Sequence, residues 1–137
     1  MNSTLKNTLV VITGLIIGGI VNMGIIMISG SIIPAPNGVD VTTMEGLKET
    51  MHLFEPKHFL FPFLAHATGT LMGAFIASKF AANKQKSLAI FVGFIFLIGG
   101  SINVYVLPSP MWFNAIDLIG AYIPMAFIGW KLARSKN

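Results

Sequence analysis

The chain has 137 residues, of which 54% are hydrophobic and 10% charged, with a net charge of +4 and no cysteine. Without cysteine there is no disulfide framework, thiolate metal site or cysteine nucleophile, and the basic residues gather at the ends of apolar runs, a distribution unlike a nucleic-acid surface. Those runs reach the about 20 residues a helix needs to cross a bilayer, so the sequence reads as an all-α integral membrane protein, a single membrane domain over residues 1–137 with no room for a soluble catalytic domain.

The first span is expected at 8–28. Lys6 precedes it, as in a signal peptide, but the apolar run exceeds the roughly 7–15 residues of a signal core. Ile16 to Asn22 reads I-I-G-G-I-V-N. Gly14, Gly18 and Asn22 recur every fourth residue, which puts the asparagine on a glycine face, where helices approach closely in lipid.

Residues 31–57 form an outer segment that opens with Pro34-Ala35-Pro36. Thr42-Thr43-Met44-Glu45 fits a capping box with Thr42 as the cap and predicts a short amphipathic extracytoplasmic helix. Met44, Leu47, Met51 and Phe54 are its apolar stripe, suited to the membrane or the bundle mouth, with Glu45, Glu49 and His52 roughly opposite. Glu49-x-x-His52 and Glu55-x-x-His58 each offer two ligands at the spacing used in di-metal carboxylate bundles. Glu45, Glu49, His52, Glu55 and His58 are therefore candidate ligands for a divalent metal. The competing reading is a solvated acidic face, which needs no metal.

The second span, 58–81, carries a ladder of small residues at Ala65, Gly69, Gly73, Ala77 and Ala81. Its first four members are the expected surface for a homo-oligomer or a larger membrane complex. His66 lies beside the ladder and should face protein. The third span, 87–107, contains L-I-G-G-S-I-N over 97–103 and is followed by Pro108-Ser109-Pro110. In the fourth, 115–132, Asp117, Gly120, Ala121 and Pro124 share a face, and Pro124 frees the Gly120 carbonyl by removing its donor.

The segments 74–81 and 126–133 are identical at five of eight positions. Together with the two G-G-x-x-N stretches and the two P-x-P endings, in the same order, they suggest two tandem helical hairpins forming a parallel repeat in a four-transmembrane-helix bundle. Lys6, Lys79, Lys84, Lys86, Lys131, Arg134 and Lys136 fall on one membrane side, and only Lys48 and Lys57 on the other. The positive-inside rule then puts both termini in the cytoplasm of a multi-pass protein, with a bacterial inner membrane as the expected location.

Helical rise places Asn22 and Asn103 about 22–24 Å from the cytoplasmic face, and His66 about 12 Å below the outer surface with Asp117 shallower. Ionisable groups inside a membrane are functional candidates. The leading expectation is a protein that binds or translocates a small ligand or cation through Asn22, His66, Asn103 and Asp117, a polar cluster in the outer half. A noncatalytic subunit or oligomeric scaffold is the second reading, and a membrane enzyme using His66 and Asp117 as an acid–base pair the third. The sequence has no P-loop, dinucleotide fingerprint, H-E-x-x-H or G-x-S-x-G. Size and span count match the small multidrug transporters and the fluoride channels, but the first span has no glutamate and the glycine-arginine signature is missing, so neither resemblance holds.

Overall fold

Lipid gives apolar helices no hydrophobic reason to associate, so close approach must hold a membrane bundle together, and small residues decide which faces meet. The computed structural model, which describes residues 1–135, follows that rule. It is all-helical: α1 (Ser3–Ile32), α2 (Met44–Thr50), α3 (Leu60–Lys79), α4 (Gln85–Val106), α5 (Met111–Gly120) and α6 (Ile123–Arg134), with 3-10 turns at Met51–Leu53 and Pro56–Phe59. Four helical segments are long and apolar enough to cross a membrane: Ser3–Ile32, Pro56–Lys79, Gln85–Val106 and Met111–Arg134. Among the described residues no fully buried side chain is larger than valine, whereas Ile20, Met27, Tyr105 and Ile119 are mostly exposed, the distribution expected where bilayer replaces water.

The central helix is α3, which packs against α1, α4 and α6. Against α1 the approach is reciprocal. A Cβ on Gly14 would lie 2.5 Å from the Gly73 carbonyl oxygen and one on Gly73 2.7 Å from that of Gly14; Gly18 and Gly69 repeat these distances. Each helix thus contributes a G-x-x-x-G pair that only glycine fits. The ladder expected to serve an oligomer is therefore covered within the chain: Ala65 and Ala77 have no exposed surface, and Gly69 and Gly73 lie against α1.

Packing does not divide the chain into equivalent halves. A parallel two-fold would match the contact of α3 with α4 by one of α1 with α6, yet α1 lies almost entirely on α3 while α4 touches both α3 and α6. The glycine pairs differ as well. In α1 the first of the pair, Gly18, is at the contact; in α4 it is the second, Gly100, while Gly99 faces open space. Asn103, in register with Gly99, is accordingly exposed, and the glycine face expected for it is not a packing face.

The fourth span starts earlier than the sequence suggests and is interrupted. α5 stops at Gly120 and α6 starts at Ile123, with Pro124 in its first turn. At the other end of the bundle, Asn7 ties α1 to the α3–α4 loop, its amide donating to Asn83 Oδ1 (2.8 Å) and accepting from the Ala82 N–H (2.9 Å).

The segment between α1 and α3 closes the mouth. The cap of α2 is Thr43, whose hydroxyl accepts from the Gly46 N–H at 2.9 Å. Thr42, the cap expected from the sequence, instead donates its hydroxyl to Asp40 Oδ1, while the Thr43 hydroxyl both caps the helix and donates to Asp40 Oδ2 at 3.4 Å. The Thr42 hydroxyl and N–H hold the Asp40 carboxyl below its ordinary range. Leu47, Met51 and Phe54 pack with Phe59, Phe63, Leu107 and Phe113, so most of the apolar stripe lies on the bundle. Met44, the stripe's first residue, is exposed.

Candidate functional site

Beneath that cover is a partly enclosed cavity of about 530 Å³ between the end of α1, the α2 segment, the start of α3, the end of α4 and the start of α5. Its walls are mainly apolar, with Met27, Ile33, Met51, Phe59 and Phe113 among them; His66, Asn103, Asn114 and Asp117 supply polar groups, as do Ser29, His58 and Ser109, and no lysine or arginine lines it. The volume falls within the range that holds small organic ligands, about 300–1,000 Å³.

His66 on α3 and Asp117 on α5 meet here, with His66 Nδ1 2.8 Å from Asp117 Oδ1. The Asp117 side chain is 3% exposed and that of His66 19%. Tyr122 donates its hydroxyl to the second carboxylate oxygen, Oδ2, at 3.1 Å, and its ring stacks on the imidazole with centroids 5.9 Å apart. Two donors therefore hold the carboxylate, and the carboxylate orients the imidazole. With Nδ1–H donating to Asp117, Nε2 has no protein partner among the described residues, and in the neutral ring it carries the lone pair.

Local backbone structure makes this arrangement possible. Residues five apart on an unbroken helix point about 140° away from one another, so Tyr122 could not reach Asp117. The break at Ala121 and Tyr122, fixed by Pro124, turns the phenol back. Gly100 completes the fit, since a Cβ there would overlap the Tyr122 hydroxyl. Nearby, Asn114 accepts from the Ser109 hydroxyl at 2.5 Å and donates to its carbonyl at 3.3 Å, bracing the first turn of α5 against the P-x-P segment.

The structure joins only some of the residues expected to act together. His66 and Asp117 are hydrogen-bonded, and Asn103 lines the same cavity from an exposed position. Asn22 does not reach the cavity wall; it lies half-buried beside Gly69, one turn further along α3 than His66. Tyr122, which was not among the residues expected at the site, is the second partner of Asp117. Its signal was the tyrosine two residues before a proline, at a spacing that matters only if the helix breaks.

The outer acidic and histidine residues are not gathered into one cluster: among the described residues no three His, Asp or Glu side chains come together around one position. Glu45, Glu49 and His52 point outward, and Glu55 makes an exposed 3.5 Å pair with Lys57. The His58 ring is already committed. Its Nδ1 accepts from the Glu55 N–H at 2.9 Å, so Nε2 carries the proton toward the Pro34 carbonyl at 3.2 Å. No lone pair remains for a cation.

No protein-family model matches the chain, and neither a curated protein nor a solved structure matches it significantly. The site itself must carry the functional reading.

Proposed function

We propose that the protein is a membrane-embedded binding protein, with both termini cytoplasmic, for a small lipophilic molecule that is neutral or cationic and carries a hydroxyl or amine. The observation that carries this reading is an apolar cavity whose polar side holds an oriented imidazole with a free Nε2. Such a ligand buries its apolar body against Met27, Met51, Phe59 and Phe113 and donates its O–H or N–H to His66, with the Asn103 amide at the open side. Asp117 then stabilises any positive charge gained by the imidazole. An anionic ligand is disfavoured, because the only formal charge in the walls is a carboxylate. Translocation adds only a path onward from this cavity.

The test is organic extraction of the detergent-purified protein followed by mass spectrometry. One lipophilic species should accompany the parent protein near stoichiometrically and fall roughly tenfold in His66→Gln and Asp117→Asn, the effect of one lost charge-assisted hydrogen bond. Because the two residues touch, the double variant should lose little more than either single one. An extract without an enriched species, or one unchanged in folded His66→Gln protein, defeats the proposal.

A second reading follows from the same pair. A carboxylate that fixes an imidazole and leaves Nε2 free is also the arrangement of a general base. Conversion of the extracted compound on incubation with fresh protein, absent in His66→Gln, would favour an enzyme over a binding protein.

A further inference from the structure

At the end of the bundle away from the cavity, three cations surround two aromatic rings. Lys86, in the first turn of α4, places Nζ 5.5 Å from the centre of the Phe127 ring and 5.2 Å from that of Trp130. Lys131 Nζ is 4.9 Å from the Phe127 ring and the Arg134 guanidinium 4.9 Å from that of Trp130. The rings themselves are 5.2 Å apart. Since neighbouring cations share a ring, Lys86 can be no more than about 10 Å from either of the others, which is within or near a Debye length at physiological salt.

Among the described residues no aspartate or glutamate offsets this charge. The five acids of the chain are Asp40, Glu45, Glu49, Glu55 and Asp117, and the nearest along the fourth span, Asp117, is more than about 20 Å of helix away from Arg134. The N-terminus of α4 adds to the demand for an anion: its cap, Lys84, makes no side-chain hydrogen bond to the first turn, whose N–H groups lack helical partners. Ring faces hold the cations in place and desolvate them partially while leaving their outward sides free.

We propose that Lys86, Lys131 and Arg134, held around Phe127 and Trp130, seat the phosphate of an anionic phospholipid headgroup. The shared chemistry is a phosphate; the lipid is the source because the cluster lies where the apolar stretch of the fourth span ends, with a half-buried tryptophan at that depth. A headgroup there neutralises three mutually repelling charges, and its acyl chains lie along the exposed apolar surface of the span.

The experiment uses Trp130 as the reporter in a Trp112→Phe background, since the chain has only two tryptophans. The protein is reconstituted in phosphatidylcholine vesicles containing equal small fractions of brominated phosphatidylglycerol or brominated phosphatidylcholine. Quenching should show the anionic lipid enriched roughly fivefold or more around Trp130 at low salt. The preference should vanish in K86Q/K131Q/R134Q and fall partially in K131Q alone, whose folding is the less challenged. Equal quenching by the two lipids, or a preference that survives in the folded triple variant, overturns the proposal. If millimolar inorganic phosphate abolishes the preference at constant ionic strength, the seat is one for a soluble anion and the lipid assignment fails.

Discussion

Thr70 and Ser78 are each 1% exposed, and their hydroxyl oxygens have no hydrogen-bond partner. A buried hydroxyl without a partner carries its desolvation cost uncompensated. Thr70→Val keeps the branched shape and removes the oxygen, so it should raise stability by roughly 1 kcal/mol, read as a higher thermal unfolding midpoint in detergent. A lowered midpoint would show that the hydroxyl serves a partner. Single residues were also where the sequence was least legible. The T-x-x-E pattern favours Thr42 as the cap, but the helix starts one residue later, with Thr43 capping it and both threonine hydroxyls donating to Asp40. Tyr122 looked unrelated to Asp117 because helical spacing separates them; the break that unites them is tertiary, supported by the room Gly100 leaves. By contrast, the meeting of His66 with Asp117 was foreshadowed, since each shares or adjoins a small-residue face.

Elements were more legible than their faces. Each span announces itself by hydropathy, but two successive glycines lie about 100° apart on a helix, and a pair alone does not say which one meets a neighbour. In α1 it is the first and in α4 the second, which is why Asn22 lies against α3 and Asn103 at the open side of the cavity. The difference is measurable. Gly73→Ala forces a methyl toward the Gly14 carbonyl and should destabilise the bundle by about 1–3 kcal/mol, as overpacking does. Gly99→Ala meets no atom within 4 Å and should be neutral or stabilising by up to about 1 kcal/mol through helix propensity. Thermal unfolding of the two variants side by side decides it, and equal effects would contradict the α1–α3 register.

For the whole molecule, hydropathy reveals four membrane-length helices, while the sequence repeats overstate its symmetry: α3 is central, and α1 is held on one side of it. The reason is that short matches such as A-F-I record local composition, whereas the partner of each face is set by which small residues coincide across two helices. Orientation is a separate question, carried by charge. The cavity lies at the end opposite the lysine-rich termini, so if positive residues stay in the cytoplasm the cavity opens outward, and ligand access comes from that side. The absence of cysteine makes this testable with single cysteines. Exposed positions whose side chains make no hydrogen bond beyond their own helical turn suit the purpose: Ser3, Ala82 and Ser135 at one end, Asn37 and Pro108 at the other. Lys84 is a poorer probe of the α3–α4 loop because its φ of 55° lies in the left-handed region, and Ser109 because its hydroxyl braces Asn114. In sealed cells an impermeant thiol reagent should label Asn37→Cys and Pro108→Cys and spare the other three until the membrane is permeabilised. The reverse pattern would put the basic, phosphate-seeking end outside and the His66 cavity within, and both the proposed direction of ligand entry and the proposed orientation of the lipid seat would have to be inverted together.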